Sequence, residues 1–450
     1  MHRECADDNA FFLSFLNGPI RKTFKRLPPT AEWGRFRKYV PRMRELEEYC
    51  IPETLSLEVL SVLQSLTINN LLLPKLNTLQ LGSIDNWLVP YVSLFLSPGI
   101  TSIFLGFGSD CPRAMIASTV SSLWMPCPGL QNIRLRFPSR DAMITFAVSG
   151  MLLAANRNTL QKFDVNSPLT EEACEAVYTL PNLCQLSVHI ERETSLPSAS
   201  LPNLTELTID CEDEGDWPRL FQGATFGKLE SVTFHPRSEE IGDFLGAFER
   251  VALSSSMQNT LSRFHVSAPY PWNPNYSSLL PFTQLVNLNI GFSCEDGCAS
   301  RVDDDMIIDL SRAMPKLQLL KLGYEPCRES TTGVTAKGLL ALALHCPNLY
   351  YLNIHFQVAG LIAPPPAGPG ISISDTETTG SWTGCALKCF VAGETEVPEE
   401  SALVMAFTLL RIFPRIDSIN ATAQGWEEIE DAIYESSIVQ VSKPPYCTFK

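Results

Sequence analysis

The residues of this 450-residue chain with chemistry to offer are six histidines, fourteen cysteines and one dense acidic run. Four histidines, His189, His235, His265 and His355, fall at positions where strands are expected to point side chains to solvent. His189, Asp210 and His235 would then share a column on successive strands. Two imidazoles and a carboxylate could hold a metal or sense pH, but strands about 5 Å apart set them side by side without tetrahedral closure. The ordinary reading of this column is a polar contact surface. Cys294/Cys298 and Cys385/Cys389 have chelating spacing but no second Cys or His pair at zinc-finger distance, so they read as small core residues. Asp210-Cys211-Glu212-Asp213-Glu214-Gly215-Asp216 has oxygen ligands enough for Ca²⁺ but reads as a solvated loop. No phosphate-binding glycine loop, HExxH helix, nucleophile elbow or EF-hand loop occurs. The expectation is no catalytic residue, no metal and no cofactor.

The apolar residues carry more information. A frame of apolar, two of any kind, apolar, one of any kind, apolar returns thirteen times, from PKLNTLQL at Leu76 to PRIDSINA at Ile416. PNLTELTI at Leu204, PKLQLLKL at Leu317, PNLYYLNI at Leu349 and CALKCFVA at Leu387 are typical. The interval averages about 28 residues, at the upper end of the leucine-rich-repeat range. Eight frames carry Pro two residues ahead and two more carry Asn-Thr, at Asn158 and Asn259; these shared lead-ins separate the series from chance.

In Glu206-Leu207-Thr208-Ile209-Asp210, Leu207 and Ile209 point to one face and the polar residues to the other. One such strand cannot bury its apolar side, so successive units must stack as a parallel sheet over a shared core. Pro ends the preceding helix because it lacks a donor and disfavours helix at the residue before it. Asp303 to Met314, Thr335 to His345 and Glu399 to Phe413 read as helices, the first with acids where the helix dipole favours them. The expected fold is α/β: an open, curved leucine-rich-repeat solenoid, parallel strands on its concave face and helices on its convex face.

Residues 1–50 are basic and, with Trp33, Phe36, Tyr39 and Val40 at nearly helical spacing, are expected to form a helical N-terminal cap. The solenoid is expected over 51–440, broken by a mobile Pro/Gly-rich loop at about 361–384, with a tail at 441–450. Trp426, Ile429 and Ile433 suit a closing helix. Lys and Arg total 34 against 49 Asp and Glu, a net charge of −15, which argues against general binding of nucleic acid or an anionic membrane. The cysteines lie singly, as reduced thiols do, and the acidic start lacks the basic lead of a signal peptide. A cytoplasmic or nuclear location is expected.

The stretch from Val334 to Ile354, with Cys346-Pro347-Asn348-Leu349 after a helix, resembles the cysteine-containing leucine-rich repeat of F-box proteins. LPPTAEWGRFRKYVPRMREL at 27–46, irregular Pro-Asn-Leu repeats and a late FPRIDSI at 413–419 together resemble basidiomycete-type fungal F-box proteins. The resemblance implies a substrate receptor of a cullin-RING (SCF-type) ubiquitin ligase, with a protein target on the concave face. It implies a Skp-type linker and cullin as partners only if an F-box is encoded upstream, since 1–26 is too short for that motif. The alternative is a stand-alone repeat scaffold or inhibitor with no ubiquitin connection. The family's Asn after each strand is replaced here by Ile84, Glu191, Glu212 and Gln357, so other groups must satisfy the turn carbonyls. The expected contact residues are Arg134, Arg136, Asp164, His189, Glu206, Asp210, His235, Arg263, His265, Lys321, Tyr351 and His355.

Overall fold

In the computed structural model the described residues are 38–47, 57–67, 71–123, 125–138, 153–190, 201–211, 225–237, 244–255, 257–268, 274–292, 302–323, 333–357, 385–393, 397, 399–421 and 426–441. Two compact units divide the chain: residues 1–210 with 219–227, and residues 211–218 with 228–450.

The strands of the first unit are β1 (Glu45–Leu46), β2 (Thr78–Ile84), β3 (Ser102–Phe107), β4 (Asn132–Arg136), β5 (Lys162–Pro168), β6 (Gln185–Ile190) and β7 (Glu206–Cys211). Those of the second are β8 (Ser231–Pro236), β9 (Arg263–Ala268), β10 (Asn287–Phe292), β11 (Leu319–Leu322), β12 (Tyr351–Ile354), β13 (Cys389–Gly393) and β14 (Ser418–Ala421). All stand in chain order, and the order does not return on itself to close a barrel. The thirteen sequence frames map one for one onto β2–β14, and each described apolar frame position is 6% exposed or less. Burying that ladder drives the fold.

One hydrogen-bond device recurs between strands. The carbonyl just before a strand accepts two N–H groups from the next, as Gln131 O does from Gln161 N (2.8 Å) and Lys162 N (2.9 Å), and Val286 O from Gln318 N (2.8 Å) and Leu319 N (3.1 Å). β1 lies inside the segment read as a cap: Pro41, Met43 and Leu46 reproduce the frame's lead-in and first two apolar places, but the third is Glu48. Val40 is buried beside it; Trp33 and Phe36, the 361–384 loop and residues 442–450 lie outside the described residues.

Helices cover the apolar face. In the first unit these are α1 (Leu57–Thr67), α2 (Arg113–Ser122) and α3 (Glu171–Tyr178). In the second they are α4 (Phe244–Ser255), α5 (Asp304–Ala313), α6 (Ala336–His345), α7 (Glu399–Ile412) and α8 (Trp426–Val441). The expected helices appear as α5, α6 and α7, and Trp426, Ile429 and Ile433 of α8 are buried. Phe248 of α4 lies 5.7 Å from Phe234, 4.9 Å from Phe264 and 5.3 Å from Phe282 by ring centroid, tying helix to sheet. Asp303 Oδ1 caps α5 at Met306 N (2.9 Å). Asp304 reaches across to the next repeat, where its Oδ1 accepts from Thr335 N (2.8 Å) and Gly338 N (2.9 Å) and its Oδ2 from the Thr335 hydroxyl (2.6 Å).

Of the four places where an Asn was expected after a strand, Ile84 and Gln357 are described, and Glu191 and Glu212 lie outside the described residues. Ile84 O accepts from Gly108 N at 2.9 Å and the Cys111 thiol at 2.8 Å. Gln357 N donates to Val334 O, and Asn166 clamps the backbone of Phe137 through N–H to Oδ1 (2.7 Å) and Nδ2–H to O (3.0 Å). The residue before the lead-in Pro is buried and, where it is Ser or Cys, donates back one repeat. The Ser97 hydroxyl reaches Leu76 O, Cys127 Sγ reaches Ser97 O, and Cys346 Sγ approaches Ser311 O and Met314 O.

Candidate functional site

On the polar face of the first unit the strand register lays side chains out in rows. Thr78, Ser102, Asn132, Lys162 and Gln185 stand opposite one another across β2–β6, and so do Gln80, Phe104, Arg134, Asp164 and Ser187. All of these but Thr78, together with Glu206 and Thr208 of β7, line a cavity of about 410 Å³.

Its electrostatic centre is Asp164. Arg136 binds it with both ends of the guanidinium, Nη1 to Oδ1 at 2.8 Å and Nη2 to Oδ2 at 2.7 Å, and Arg134 Nε donates to Oδ2 at 2.8 Å. The fork of Arg136 matches the carboxylate geometry, which fixes the position of both side chains. The Asp164 side chain is only 17% exposed, while those of Arg134 and Arg136 are 59% and 38% exposed, so the arginines present the outer surface. Arg134 also lies over the Phe104 ring, 5.7 Å from its centroid. With exposed Lys162 nearby and Glu206 on β7, the cavity offers cationic, anionic, amide and aromatic groups along about five strand spacings. Such a surface suits an extended chain bearing mixed charge.

Of the residues read from the sequence, Arg134, Asp164 and Glu206 line the cavity, Arg136 joins them through Asp164, and Asp210 is half-buried on the same strand as Glu206. His189 does not join them. It is 0% exposed rather than solvent-facing. The cause is a register shift in β5 between Asp164 and Pro168: with Asn166 drawn to the Phe137 backbone, Pro168 stands opposite His189 and the ring is enclosed. His189 thus leaves the expected column, and among the described residues no group of three or more His, Cys, Asp or Glu is placed to hold a metal.

The remaining expected residues lie on the second unit. His235 and His265 meet edge to face, ring centroids 5.9 Å apart. Burial, then the charges of His235 and Lys321, hold His265 below the ordinary histidine value, and burial lowers Lys321 as well. Burial raises the Tyr351 hydroxyl. A methyl added at Gly323, whose φ is +95°, would come within 3.3 Å of His355 Cδ2. Arg263 is exposed.

Sequence reasoning missed Phe104, Lys162 and Gln80. The signal for Phe104 was present: Ile103-Phe104-Leu105 breaks the alternation, so one large apolar residue has to point to the polar side. Lys162 and Gln80 carry no such mark, because any polar residue fits their positions.

No protein-family model matches this chain, and no curated protein matches it either. Among the described residues no helix is long and apolar enough to cross a membrane.

Proposed function

We propose that the chain is a non-enzymatic recognition module of leucine-rich-repeat type, its strands lining a concave face that holds a protein target and its helices forming the convex face. On this reading it serves as the substrate-holding part of an F-box subunit of a cullin-RING ubiquitin ligase, acting in the cytoplasm or nucleus, and any catalysis belongs to its partners. The observation that carries the recognition role is the 410 Å³ cavity, lined by side chains from six consecutive strands around the Arg134–Asp164–Arg136 cluster. Mixed polar and aromatic groups held by a rigid sheet are what a protein-binding surface needs. The Cys346-Pro347-Asn348-Leu349 repeat and the Pro lead-ins support the link to F-box receptors, and the free thiols of the described cysteines support a reducing compartment.

Two measurements test this. Crosslinking mass spectrometry in cells should place a specific protein against β2–β7, and Arg134→Gln with Arg136→Gln should remove that crosslink; an undiminished crosslink overturns the cavity as the recognition site. Purified Skp-type linker mixed with the full-length gene product should co-elute on gel filtration, and separate elution would leave a stand-alone repeat scaffold as the function.

A further inference from the structure

In a chain of net charge −15, none of the seven strands of the second unit holds an Asp or Glu at any position. The strands of the first unit carry Glu45, Asp164, Glu206 and Asp210. What the second unit's polar face does carry is cationic or donor-rich. Arg263 begins β9, His265 lies in register with Asn289 of β10 and Lys321 of β11, and His235 packs on His265. His355 follows β12. His265 and Lys321 are two strand spacings apart, about 9.5 Å, with the Asn289 amide between them. Both are half-buried, so an opposite charge set between them would be less screened than one at an open surface.

We infer that the polar face of β8–β12 is a docking surface for an acidic, carboxylate-rich peptide segment of a partner protein. The inference rests on reading the strand face as a recognition surface, and it adds the chemical class of what this part takes. An extended acidic segment running across the strands would meet His265, Asn289 and Lys321 in turn, with Arg263 two residues along β9 from His265. Burial lowers both His265 and Lys321, and a ligand carboxylate set between them would favour their protonated forms.

The test uses the full-length chain, a fluorescein-labelled poly-glutamate peptide, a poly-lysine peptide of equal length and a single-stranded oligonucleotide of equal charge. Poly-glutamate should bind by fluorescence anisotropy at about 0.1 M salt, and Arg263→Glu with Lys321→Glu should weaken it about tenfold or more. Should Lys321→Glu lower the melting temperature, the exposed Arg263→Glu carries the test alone and should still weaken binding severalfold. Unchanged binding in these variants, or equal binding of poly-lysine or oligonucleotide, overturns the inference. A cellular partner whose crosslink survives Arg263→Glu with Lys321→Glu but not Arg134→Gln with Arg136→Gln leaves the recognition module standing and removes this surface. Poly-glutamate binding that depends on Arg263 and Lys321, in a chain for which no protein partner crosslinks to β2–β7, keeps this inference and removes the cavity's proposed role.

Discussion

Asp164 shows how little a well-formed ion cluster has to do with stability. Its arginine partners are more than one-third exposed, and exposed pairs contribute about 0.2–1 kcal/mol each. Asp164→Asn should therefore lower urea-denaturation stability by no more than about 2 kcal/mol for the two pairs, while freeing Arg134 and Arg136 to reorient and reducing partner crosslinking to the cavity. Replacing both arginines by Glu is a poorer experiment than the composition suggests, since it sets three carboxylates together. Two of the described histidines contribute to acid sensitivity. His265 is lowered by burial, His235 and Lys321; His345, whose Nδ1 lies 3.0 Å from the Ser311 hydroxyl, is lowered by burial and Arg312, against a raising contact from Ala341. The unfolded chain then binds more protons than the folded one between the lowered values and the ordinary 6.5. The stability these two groups contribute is full above about pH 6.5, falls as pH drops through that value towards the lowered ones, and changes no further below them. His265→Gln should flatten that decline in urea midpoints measured from about pH 7.5 to 5.5, and an unchanged slope would show that His265 is not held neutral by the fold.

At the scale of elements, neighbouring repeats are joined by side chains that serve the next repeat rather than their own. Asp304 stands in the first turn of α5, yet its carboxylate satisfies Thr335 N, Gly338 N and the Thr335 hydroxyl at the start of α6. Asp304→Ala should cost about 1–3 kcal/mol, because donors in a part-buried setting are left without an acceptor; a loss below about 0.5 kcal/mol in chemical denaturation would show that water replaces it. The buried thiols behave similarly. Burial pushes Cys346 up to about 12 and Cys127 up to about 11, so neither forms thiolate at neutral pH. Iodoacetamide should leave both unmodified in the native protein and label them on unfolding, whereas among the described cysteines half-buried Cys184 and Cys389 should react first; early labelling of Cys346 would mean that α6 opens locally. The Cys-Pro-x-Leu pattern was visible in the sequence, but the thiol's acceptors, Ser311 O and Met314 O, lie more than thirty residues upstream.

For the whole molecule, stacking makes each repeat depend chiefly on its neighbours. Phe248 is 0% exposed and touches Phe234, Phe264 and Phe282, so Phe248→Ala should cost about 3–5 kcal/mol locally. Hydrogen exchange should then accelerate in β8–β10 while β2–β5 keep their protection; uniform acceleration would mean that the array unfolds as one cooperative block. The charge pattern is also a property at this scale: composition reports an acidic protein, and only the division into strands separates the strands without acids, β8–β14, from the acids elsewhere.

The period of Leu, Ile, Val and Phe determined by itself that thirteen strands would form, which face of each would be buried and that neighbours would shelter one another, because strand alternation and the burial of apolar area depend on local spacing alone. Leu387, Phe390 and Ala392 took their places in β13 on that basis. Tertiary structure decided what lies beside what. The β5 irregularity that encloses His189 depends on Asn166 meeting the Phe137 backbone twenty-nine residues away, and the Arg134–Asp164–Arg136 cluster depends on the register of β4 against β5. Register sums hydrogen bonds and turn lengths over many residues, and one displaced residue changes every cross-strand pair, so no single position in the sequence announces it.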